Sequence, residues 1–392
     1  MKRILLFGAS GSIGGSTLSV IREHPGHFTL EGLAVRRSTE DLADWISEFD
    51  LAKVAIEDEA AREAWREAHP LLAAEHLLEG PAEVLLDLEV DIVLNAVTGF
   101  AGLAITLQAI ERGLDLALAN KESLVCGGSF LMEKLAASRS RILPVDSEHA
   151  ALFQLLEGRD PARVAKIILT ASGGPFRKLP AGDWSSITPE QALRHPTWEM
   201  GPRITIDSAT LFNKGLEVIE AAMLFDIPED RIEVLVHPQS RVHALVELTD
   251  GSTLAQMASP DMRLPILQAL AWPDKAPGGY GLTDFRTNFD MTFEPVDNER
   301  YPSLSMARKS LRDGGMAPLA LNAADEIAVA AFLDGRLSFS GIFEIVAEIL
   351  GGESFGLAAS WQDLVETDAR VRHLADQAIA TDGNIPTHEE NA

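Results

Sequence analysis

The chain has 392 residues, of which 46% are hydrophobic, and a formal net charge of −26 at pH 7. This length exceeds what one hydrophobic core usually serves and predicts two or three domains. The strong negative charge would repel a phosphodiester backbone and an anionic lipid surface, so nucleic acid and membranes are excluded as expected partners.

Three further features point to the cytoplasm. Cys126 is the one cysteine, which excludes an internal disulfide and a cysteine-rich zinc site and is typical of a reducing compartment. The apolar run at the N-terminus is short and leads directly into glycines, so it is interpreted as a strand and not as a signal peptide. No apolar run reaches the roughly 20 residues of a membrane helix.

The first part of the chain alternates short apolar runs with helical patterns, which is typical of a doubly wound parallel sheet. The predicted strands are 4–7, 29–35, 53–56, 91–96, 115–119 and 142–145. The predicted covering helices include 41–49, 59–69 and 102–112.

A glycine-rich turn follows the first predicted strand and precedes a predicted helix. Its glycines allow a tight turn and a close approach to phosphates, while the next helix offers unpaired N–H groups. The sequence therefore predicts a dinucleotide site, with a tight turn that binds nothing as the alternative. The candidate residues are Gly8, Ala9, Ser10, Gly11, Ser12, Ile13 and Gly14.

The end of the second strand indicates which dinucleotide binds. An NAD site would carry an acidic residue there, whereas this chain has Arg36 and Arg37. Two guanidinium groups suit a 2′-phosphate and favour NADPH, unless they only balance an acidic surface. Asn120 and Glu122 follow a later strand, at the same edge of the sheet, where ligands of such folds bind.

Two carboxylates, Asp146 and Glu148, follow the sixth strand. At a spacing of two they can point the same way from extended chain, and with Glu217 they offer three oxygen ligands. Oxygen ligands favour Mg²⁺ or Mn²⁺ over zinc, with His149 a possible fourth ligand. The alternative is a solvated turn or a helix cap.

Two loops come next. Ser172, Gly173 and Gly174 follow an apolar strand, and such a loop exposes a hydroxyl and backbone amides that suit a phosphate. The segment 195–201 places large apolar side chains in a polar, proline-bounded stretch, which indicates either a lid or a loop that Trp198 anchors to the core.

The stretch 207–217 combines hydroxyls, an amide, a cation and a carboxylate in an expected strand-to-helix transition. If Ser208 starts the helix, Asn213 and Glu217 lie four apart on one face, close to Lys214. This face could hold a phosphate beside a metal. The alternative is a capped amphipathic helix with a solvated polar face.

The predicted fold class is α/β, in three domains joined by one linker. We expect a doubly wound, Rossmann-like nucleotide domain, a central α+β catalytic domain, a Pro- and Gly-rich linker and a C-terminal helical bundle with helices near 322–333 and 342–350. Their expected bounds are 1–146, 147–274, 275–302 and 303–392.

Taken together in this order, these motifs closely resemble the 1-deoxy-D-xylulose 5-phosphate reductoisomerase family of non-mevalonate isoprenoid biosynthesis. The resemblance runs from Lys2 to the C-terminal helices. It implies NADPH, a divalent metal, a sugar-phosphate substrate and a homodimer. One departure is local: Ala9 stands where the family pattern has a residue able to hydrogen-bond the cofactor.

The resemblance also implies site residues. Asp146, Glu148 and Glu217 would hold the metal, and these residues with Lys121 would be catalytic. The phosphate would be held by Ser172, Ser208, Asn213 and Lys214. The remaining substrate contacts would come from Lys121, Ser147, Glu148, His195, Trp198, Met200 and Glu217. The cofactor would be bound by the glycine turn, the arginine pair, Asn120, Glu122 and Gly201.

The chemistry implied is rearrangement of the ketose phosphate to a branched aldehyde, followed by hydride transfer from NADPH. Two alternatives stay open. An ordinary NADP-dependent dehydrogenase would use the carboxylates only structurally and would work without a metal. A regulatory or scaffold protein would bind NADPH without consuming it.

Overall fold

The computed structural model of the chain describes residues 1–194, 197–198 and 200–381. These residues divide into two compact units. The first comprises Met1–Ser123, Glu133–Phe153 and Asp261–Leu282. The second comprises Leu124–Met132, Gln154–Pro260 and the residues from Thr283 onward.

The first unit is built on a six-stranded parallel sheet. Its strands are β1 (Lys2–Phe7), β2 (Phe28–Val35), β3 (Lys53–Ile56), β4 (Ile92–Asn95), β5 (Asp115–Leu118) and β6 (Ile142–Pro144). They lie in the order β3-β2-β1-β4-β5-β6. The α/β class and all six predicted strands are confirmed, with ends that differ by at most two residues.

The strands are mostly apolar because a parallel sheet is covered on both faces. Ile4, Leu5, Leu6 and Phe7 of β1 are all 0% exposed. The helices α1 (Ser12–Glu23), α2 (Leu42–Phe49), α3 (Glu59–Ala68), α4 (Pro70–His76) and α5 (Gly102–Glu111) follow the strands, and α6 (Lys121–Ala136) and α7 (Ser147–Leu156) begin in this unit.

This strand order fixes where a ligand can bind. The chain leaves β1 toward β2 on one side and later returns to β4 on the other, so a crevice opens at the carboxyl ends of β1 and β4. The glycine turn after β1 and the residues after β4 lie at that edge.

The second unit is built on a mixed five-stranded sheet. Its strands are β7 (Val164–Ala171), β8 (Ile232–Val236), β9 (Val242–Leu248), β10 (Thr253–Met257) and β11 (Glu294–Pro295), in the order β10-β9-β7-β8-β11. Only β7 and β8 run parallel among these pairs. The strand β11 lies inside the stretch 275–302 that the sequence predicts to be a linker.

The remaining α-helices follow β7 in the chain. In chain order they are α8 (Pro189–Ala192), α9 (Pro202–Thr210), α10 (Phe212–Phe225), α11 (Arg263–Ala271), α12 (Pro302–Asp313), α13 (Ala317–Leu333), α14 (Phe339–Gly352) and α15 (Trp361–Thr381). The helix α11 belongs to the first unit and packs against α1. The last four helices pack together as predicted for a bundle.

The stretch around Ser208 differs from the prediction. Ser208 does not start a helix after a strand but lies in the last turn of α9. Leu211, with φ 60° and ψ 13°, ends α9 and immediately precedes α10. Pro202 at the first position of α9 starts that helix, because its fixed φ suits a first turn and its missing N–H is not needed there.

Across the helices of the described ranges, none combines the length and the apolar character that crossing a bilayer would require.

Candidate active site

The glycine turn after β1 has the geometry of a phosphate-binding turn. Gly8 has φ 84°, and a Cβ added there would lie 2.6 Å from the carbonyl oxygen of Ala96. A Cβ at Gly14 would lie 2.3 Å from the carbonyl oxygen of Ala9. Only glycine fits both positions, so the turn packs tightly while the first N–H groups of α1 point out of the helix end.

Exposure separates the residues of this turn into two groups. Ser10, Gly11 and Ser12 are exposed and could contact a ligand directly. Ala9 is 1% exposed, and its N–H donates to the carbonyl of Ala34 at 3.0 Å. Ala9 and Gly14 therefore shape the turn, while Ser10, Gly11 and Ser12 are accessible to a ligand.

The arginine pair lies at the carboxyl end of β2, as predicted. Arg37 Nε donates to Asp58 Oδ2 at 2.6 Å, and this hydrogen bond is the main reason that the pKa of Asp58 lies below its ordinary value. Asp58 also caps α3 by accepting from Ala61 N at 3.0 Å. Arg36 is exposed, and no carboxylate lies within ion-pair distance of it among residues 1–194, 197–198 and 200–381. Arg36 is thus the more available cation for a 2′-phosphate.

Asn120 and Glu122 clamp the loop that follows β4. Asn120 Nδ2 donates to the carbonyl of Gly99 at 3.0 Å, and Glu122 Oε1 accepts from the N–H of Gly99 at 3.0 Å. Asn120 also caps α6 by accepting from Ser123 N at 2.9 Å. These two cofactor candidates therefore fix the loop at the ligand edge of the sheet.

Sequence reasoning missed a neighbouring residue with the same task. Asn95 ends β4, is 0% exposed and donates from Nδ2 to Gly102 O at 2.8 Å and to Thr106 Oγ1 at 2.9 Å. Its Oδ1 accepts from Val97 N at 3.1 Å. The sequence feature that could have indicated this role is an amide side chain at the end of the otherwise apolar strand β4.

Asp146 is held by a cation and an imidazole. Lys121 Nζ donates to Asp146 Oδ2 at 2.9 Å, and the two side chains are 8% and 13% exposed. His149 Nδ1 lies 3.0 Å from Asp146 Oδ1 and is fully buried. The structure therefore brings the predicted catalytic lysine to the predicted metal ligand, across 25 residues of sequence.

The backbone around Asp146 differs from the extended chain that was expected. Asp146 immediately precedes α7, and its Oδ1 accepts from Glu148 N at 3.2 Å, so it acts as a helix cap. Glu148 lies inside the first turn of α7, where Ser147 Oγ donates to Glu148 Oε2 at 2.6 Å. Asp146 and Glu148 are therefore separated by the start of α7 and do not lie on one extended strand. A helix starts here because the Asp146 side chain accepts from N–H groups that the first turn leaves unpaired.

In the second unit, the loop after β7 packs against α9. Gly173 and Gly174 have φ of 80° and 65°, and the N–H of Gly174 lies 3.2 Å from Ser172 Oγ. A Cβ at Gly174 would lie 2.8 Å from Ala209 Cα and 3.2 Å from Ser208 O. The glycines therefore allow the Ser172 loop to approach the helix turn that carries Ser208.

Further along, Glu217 is enclosed by the two polar residues that precede it on α10. Asn213 Nδ2 donates to Glu217 Oε1 at 2.5 Å, as the predicted spacing of four requires. Lys214 Nζ forms an ion pair with Glu217 Oε2, and the two side chains are 4% and 1% exposed. Carboxylate, amide and cation thus form one compact group, in which Lys214 and Glu217 are buried and Asn213 is half-buried.

The segment expected to be a lid is described only in part. Trp198 is half-buried, with its ring centroid 6.3 Å from that of His243. Met200 is half-buried. Gly201 immediately precedes α9, and the carbonyl of Gly201 accepts from Thr205 N at 3.2 Å. His195 lies outside the described residues.

Comparison with known proteins covers nearly the whole chain. Residues 4–128 match a family model described as 1-deoxy-D-xylulose 5-phosphate reductoisomerase. Residues 142–225 match the model described as its C-terminal domain, and residues 257–374 match a model described as DXP reductoisomerase C-terminal domain.

Relatives of the same name are similar over their full length. One from Chlorobaculum tepidum is 46% identical over 381 residues, covering 97% of this chain and 100% of the relative. One from Prosthecochloris aestuarii is 48% identical, covering 96% of this chain and 99% of the relative.

Solved structures agree with the described fold. The reductoisomerase from Zymomonas mobilis in complex with NADPH has a TM-score of 0.89 and 40% identity, covering 97% of this chain and 99% of that one. A DOX-P reductoisomerase in complex with NADPH, fosmidomycin and magnesium has a TM-score of 0.91 and 35% identity, covering 97% and 98%. The chain therefore belongs to the 1-deoxy-D-xylulose 5-phosphate reductoisomerase family.

Proposed function

We propose that this chain converts 1-deoxy-D-xylulose 5-phosphate into 2-C-methyl-D-erythritol 4-phosphate, with NADPH and a divalent metal. The observation that carries the proposal is family membership over nearly the full chain, together with the site motifs at sheet edges and helix ends where such ligands bind.

The proposed NADPH site is the turn after β1 and the residues after β2. The exposed Ser10, Gly11 and Ser12 at the start of α1 suit a pyrophosphate, and Arg36 and Arg37 suit a 2′-phosphate. A solved relative in complex with NADPH supports this assignment. The clamped loop at Gly99 would form a fixed wall beside the cofactor.

The proposed metal ligands are Asp146, Glu148 and Glu217. Carboxylate oxygens suit Mg²⁺ or Mn²⁺, and a solved relative contains magnesium. Asp146 and Glu217 are nearly buried, and each is paired with a lysine. Buried carboxylates of this kind need a cationic partner, which a metal ion supplies as well as an ammonium does.

When bound, the metal supplies Lewis-acid polarisation of the substrate ketone and NADPH supplies the hydride. The residues of the chain do the positioning. Ser172, Ser208, Asn213 and Lys214 would bind the phosphate and fix one end of the substrate. Lys121, Ser147 and His195 would lie along its carbon chain, and Trp198 and Met200 would exclude water from it.

A homodimer is part of the same proposal. Phe285, Met291 and Phe293, before and beside the edge strand β11, are 74%, 40% and 40% exposed. Apolar side chains of this size gathered near a sheet edge are typical of an interaction surface. A second copy of this chain would cover them. We also propose a cytoplasmic location, which agrees with the single, buried Cys126.

The test is NADPH oxidation by the purified protein with 1-deoxy-D-xylulose 5-phosphate, followed by absorbance with and without Mg²⁺ or Mn²⁺. Loss of NADPH only when substrate and cation are both present supports the proposal. Turnover that survives a chelator would indicate an ordinary dehydrogenase. NADPH binding without any consumption would indicate a sensor or scaffold protein.

A further inference from the structure

Behind the helix that carries Ser208, the second unit contains a group of buried charges. Arg203 of α9 lies 2.9 Å from Glu326 Oε1 and donates to Asn322 Oδ1 at 2.8 Å, both on α13. Glu326 Oε2 in turn accepts from Arg372 of α15 at 2.7 Å. Three helices are therefore joined through two arginines.

Asp325 is the exception in this group. It is 0% exposed, and Arg203 lies 3.5 Å from Asp325 Oδ2. Within the described part of the chain, neither Asp325 oxygen accepts a hydrogen bond. A buried ionised carboxylate without donors is strongly disfavoured.

The neighbours of Asp325 make its ionisation still less favourable. The group contains two arginines, Arg203 and Arg372, against four carboxyl groups, Asp207, Asp325, Glu326 and Asp368. Arg372 serves Glu326 and Asp368, while Arg203 makes its short contacts to Glu326 and Asn322. The contacts from Arg203 to Asp207 and to Asp325 are longer, at 3.5 Å each.

Asp207, which immediately precedes Ser208 on α9, shares Arg203 with Asp325, because Oδ2 of each carboxyl group lies 3.5 Å from a guanidinium nitrogen of Arg203. Burial raises the pKa of Asp325 well above its ordinary value, and the charge and hydrogen bonding of Asp207 act in the same direction, against the attraction of Arg203. Two carboxyl groups this close do not both ionise, but they can share one proton in a hydrogen bond. Such a proton gives Asp325 a hydrogen bond, which neither of its oxygens otherwise accepts within the described ranges.

We propose that Asp325 is a neutral carboxylic acid that donates a hydrogen bond to Asp207, and that this bond positions Ser208 for the substrate phosphate. Asp325 is thus a positioning residue, acting through α9 from the C-terminal helices. The proposal rests on the proposed function of Ser208 as a phosphate ligand.

The geometry explains why such a bond would matter to binding. Asp207 and Ser208 are consecutive in the last turn of α9, and Leu211 reverses into the left-handed region just after them. The helix end is also where Gly174 approaches Ala209. A small rotation of this turn would move the Ser208 hydroxyl and the loop of Ser172 together.

The first measurement is the infrared spectrum of the full-length protein at neutral pH, in the carbonyl region of protonated carboxylic acids. The wild type should show a protonated carboxyl band that Asp325→Asn removes. Asp334→Asn, an exposed aspartate that follows the same helix, is the control and should leave the band in place. A band that Asp325→Asn does not remove would overturn the proposal.

The second measurement is the KM for substrate and for NADPH in Asp325→Asn, Asp325→Ala and Ser208→Ala. Asn keeps a neutral donor of the same shape, so its substrate KM should stay within about twofold, whereas Ala should raise it about tenfold. The KM for NADPH should not move in any of the three. If the Ala variant does not fold, Asp325→Ser, whose hydroxyl is too short to reach Asp207, replaces it with the same expectation.

The outcomes separate this inference from the function on which it rests. A raised substrate KM in Ser208→Ala with an unchanged one in Asp325→Ala overturns the positioning role and leaves the phosphate site standing. An unchanged KM in Ser208→Ala overturns the phosphate role of Ser208, and the positioning role with it. A loss of thermal stability alone in Asp325→Ala would show a purely structural contact and would also overturn the inference.

Discussion

The ammonium of Lys214 lies against the carboxylate of Glu217, three residues further along α10, and both side chains are almost fully buried. A residue proposed to bind phosphate and a residue proposed to bind metal therefore share one ion pair. Removing either partner takes away the opposite charge of this pair from a buried ion, which is costly in a protein interior.

We predict that Glu217→Gln abolishes turnover and leaves NADPH affinity nearly intact. The amide keeps the shape and can still accept from Asn213, but it lacks the charge that a divalent cation needs. The measurements are kcat and NADPH binding by fluorescence. Glu220→Gln is the control, because Glu220 lies one turn further on the same helix and is also 1% exposed. A normal rate in Glu217→Gln would remove Glu217 from the metal site.

For Lys214→Ala we expect mainly a raised KM for substrate, by about tenfold. Contacts to a phosphate that does not react are similar in the ground state and the transition state, so kcat should fall less than kcat/KM. Steady-state kinetics at saturating NADPH measures both. Exposed Lys309 on α12, paired with Asp313, provides the control lysine. An unchanged KM in Lys214→Ala would contradict the phosphate role.

Arg36→Ala should raise the KM for NADPH and reduce the preference for NADPH over NADH by about tenfold. Arg37→Ala should have a smaller effect, because Asp58 already offsets the charge of Arg37. The measurement is kcat/KM with each cofactor. Arg22→Ala removes an exposed arginine paired with Glu48 and should leave the preference unchanged. Equal preference in Arg36→Ala and the wild type would contradict the assignment.

Gly174→Ala should raise the substrate KM and lower stability by roughly 1–3 kcal/mol, because Gly174 has positive φ and no space for a Cβ beside α9. Thermal unfolding and steady-state kinetics measure the two effects. Gly182→Ala is the matched control, since its Cβ would meet nothing within 4 Å. A variant with normal KM would show that the Ser172 loop does not depend on this close approach.

The raised pKa of Asp325 predicts a pH dependence of stability. The folded state holds the proton above the ordinary carboxyl pKa of 3.8, so this contribution is complete below that value and is lost as pH rises through the folded pKa. Asp325→Asn removes the titration, so it should become more stable relative to the wild type as pH rises. Urea unfolding of both proteins at about pH 5 and about pH 8 measures the difference. A constant difference would contradict it.

The parallel sheet was predictable because its strands are continuous apolar runs between turn residues. Lys53–Ile56 was placed to the residue, and β1 and β2 to within two residues. Apolar runs did not predict the helix α9. Its residues Arg203, Asp207 and Thr210 are buried or half-buried through polar contacts instead of apolar ones. A pattern of hydrophobic residues does not show polar groups that satisfy each other.

The candidate site shows the same division. The spacing of Asn213 and Glu217 predicts their contact, because residues four apart meet on a helix. The contact between Lys121 and Asp146 could not be found this way, since 25 residues and a whole strand separate them. The position of Asp325 near Asp207 and Ser208 could not be predicted from local sequence either, because it depends on how α13 packs against α9.

The return of residues 261–282 to the first unit has a consequence for synthesis of the chain. The helix α11 packs on α1, Ile266 and Leu270 join Leu18 and Ile21 in one core, and Tyr280 donates to Glu23 at 2.7 Å. The core of the first unit therefore stays incomplete on the ribosome until some 282 residues have emerged. A gene fragment that stops after the sixth strand would expose that apolar face and should aggregate on expression.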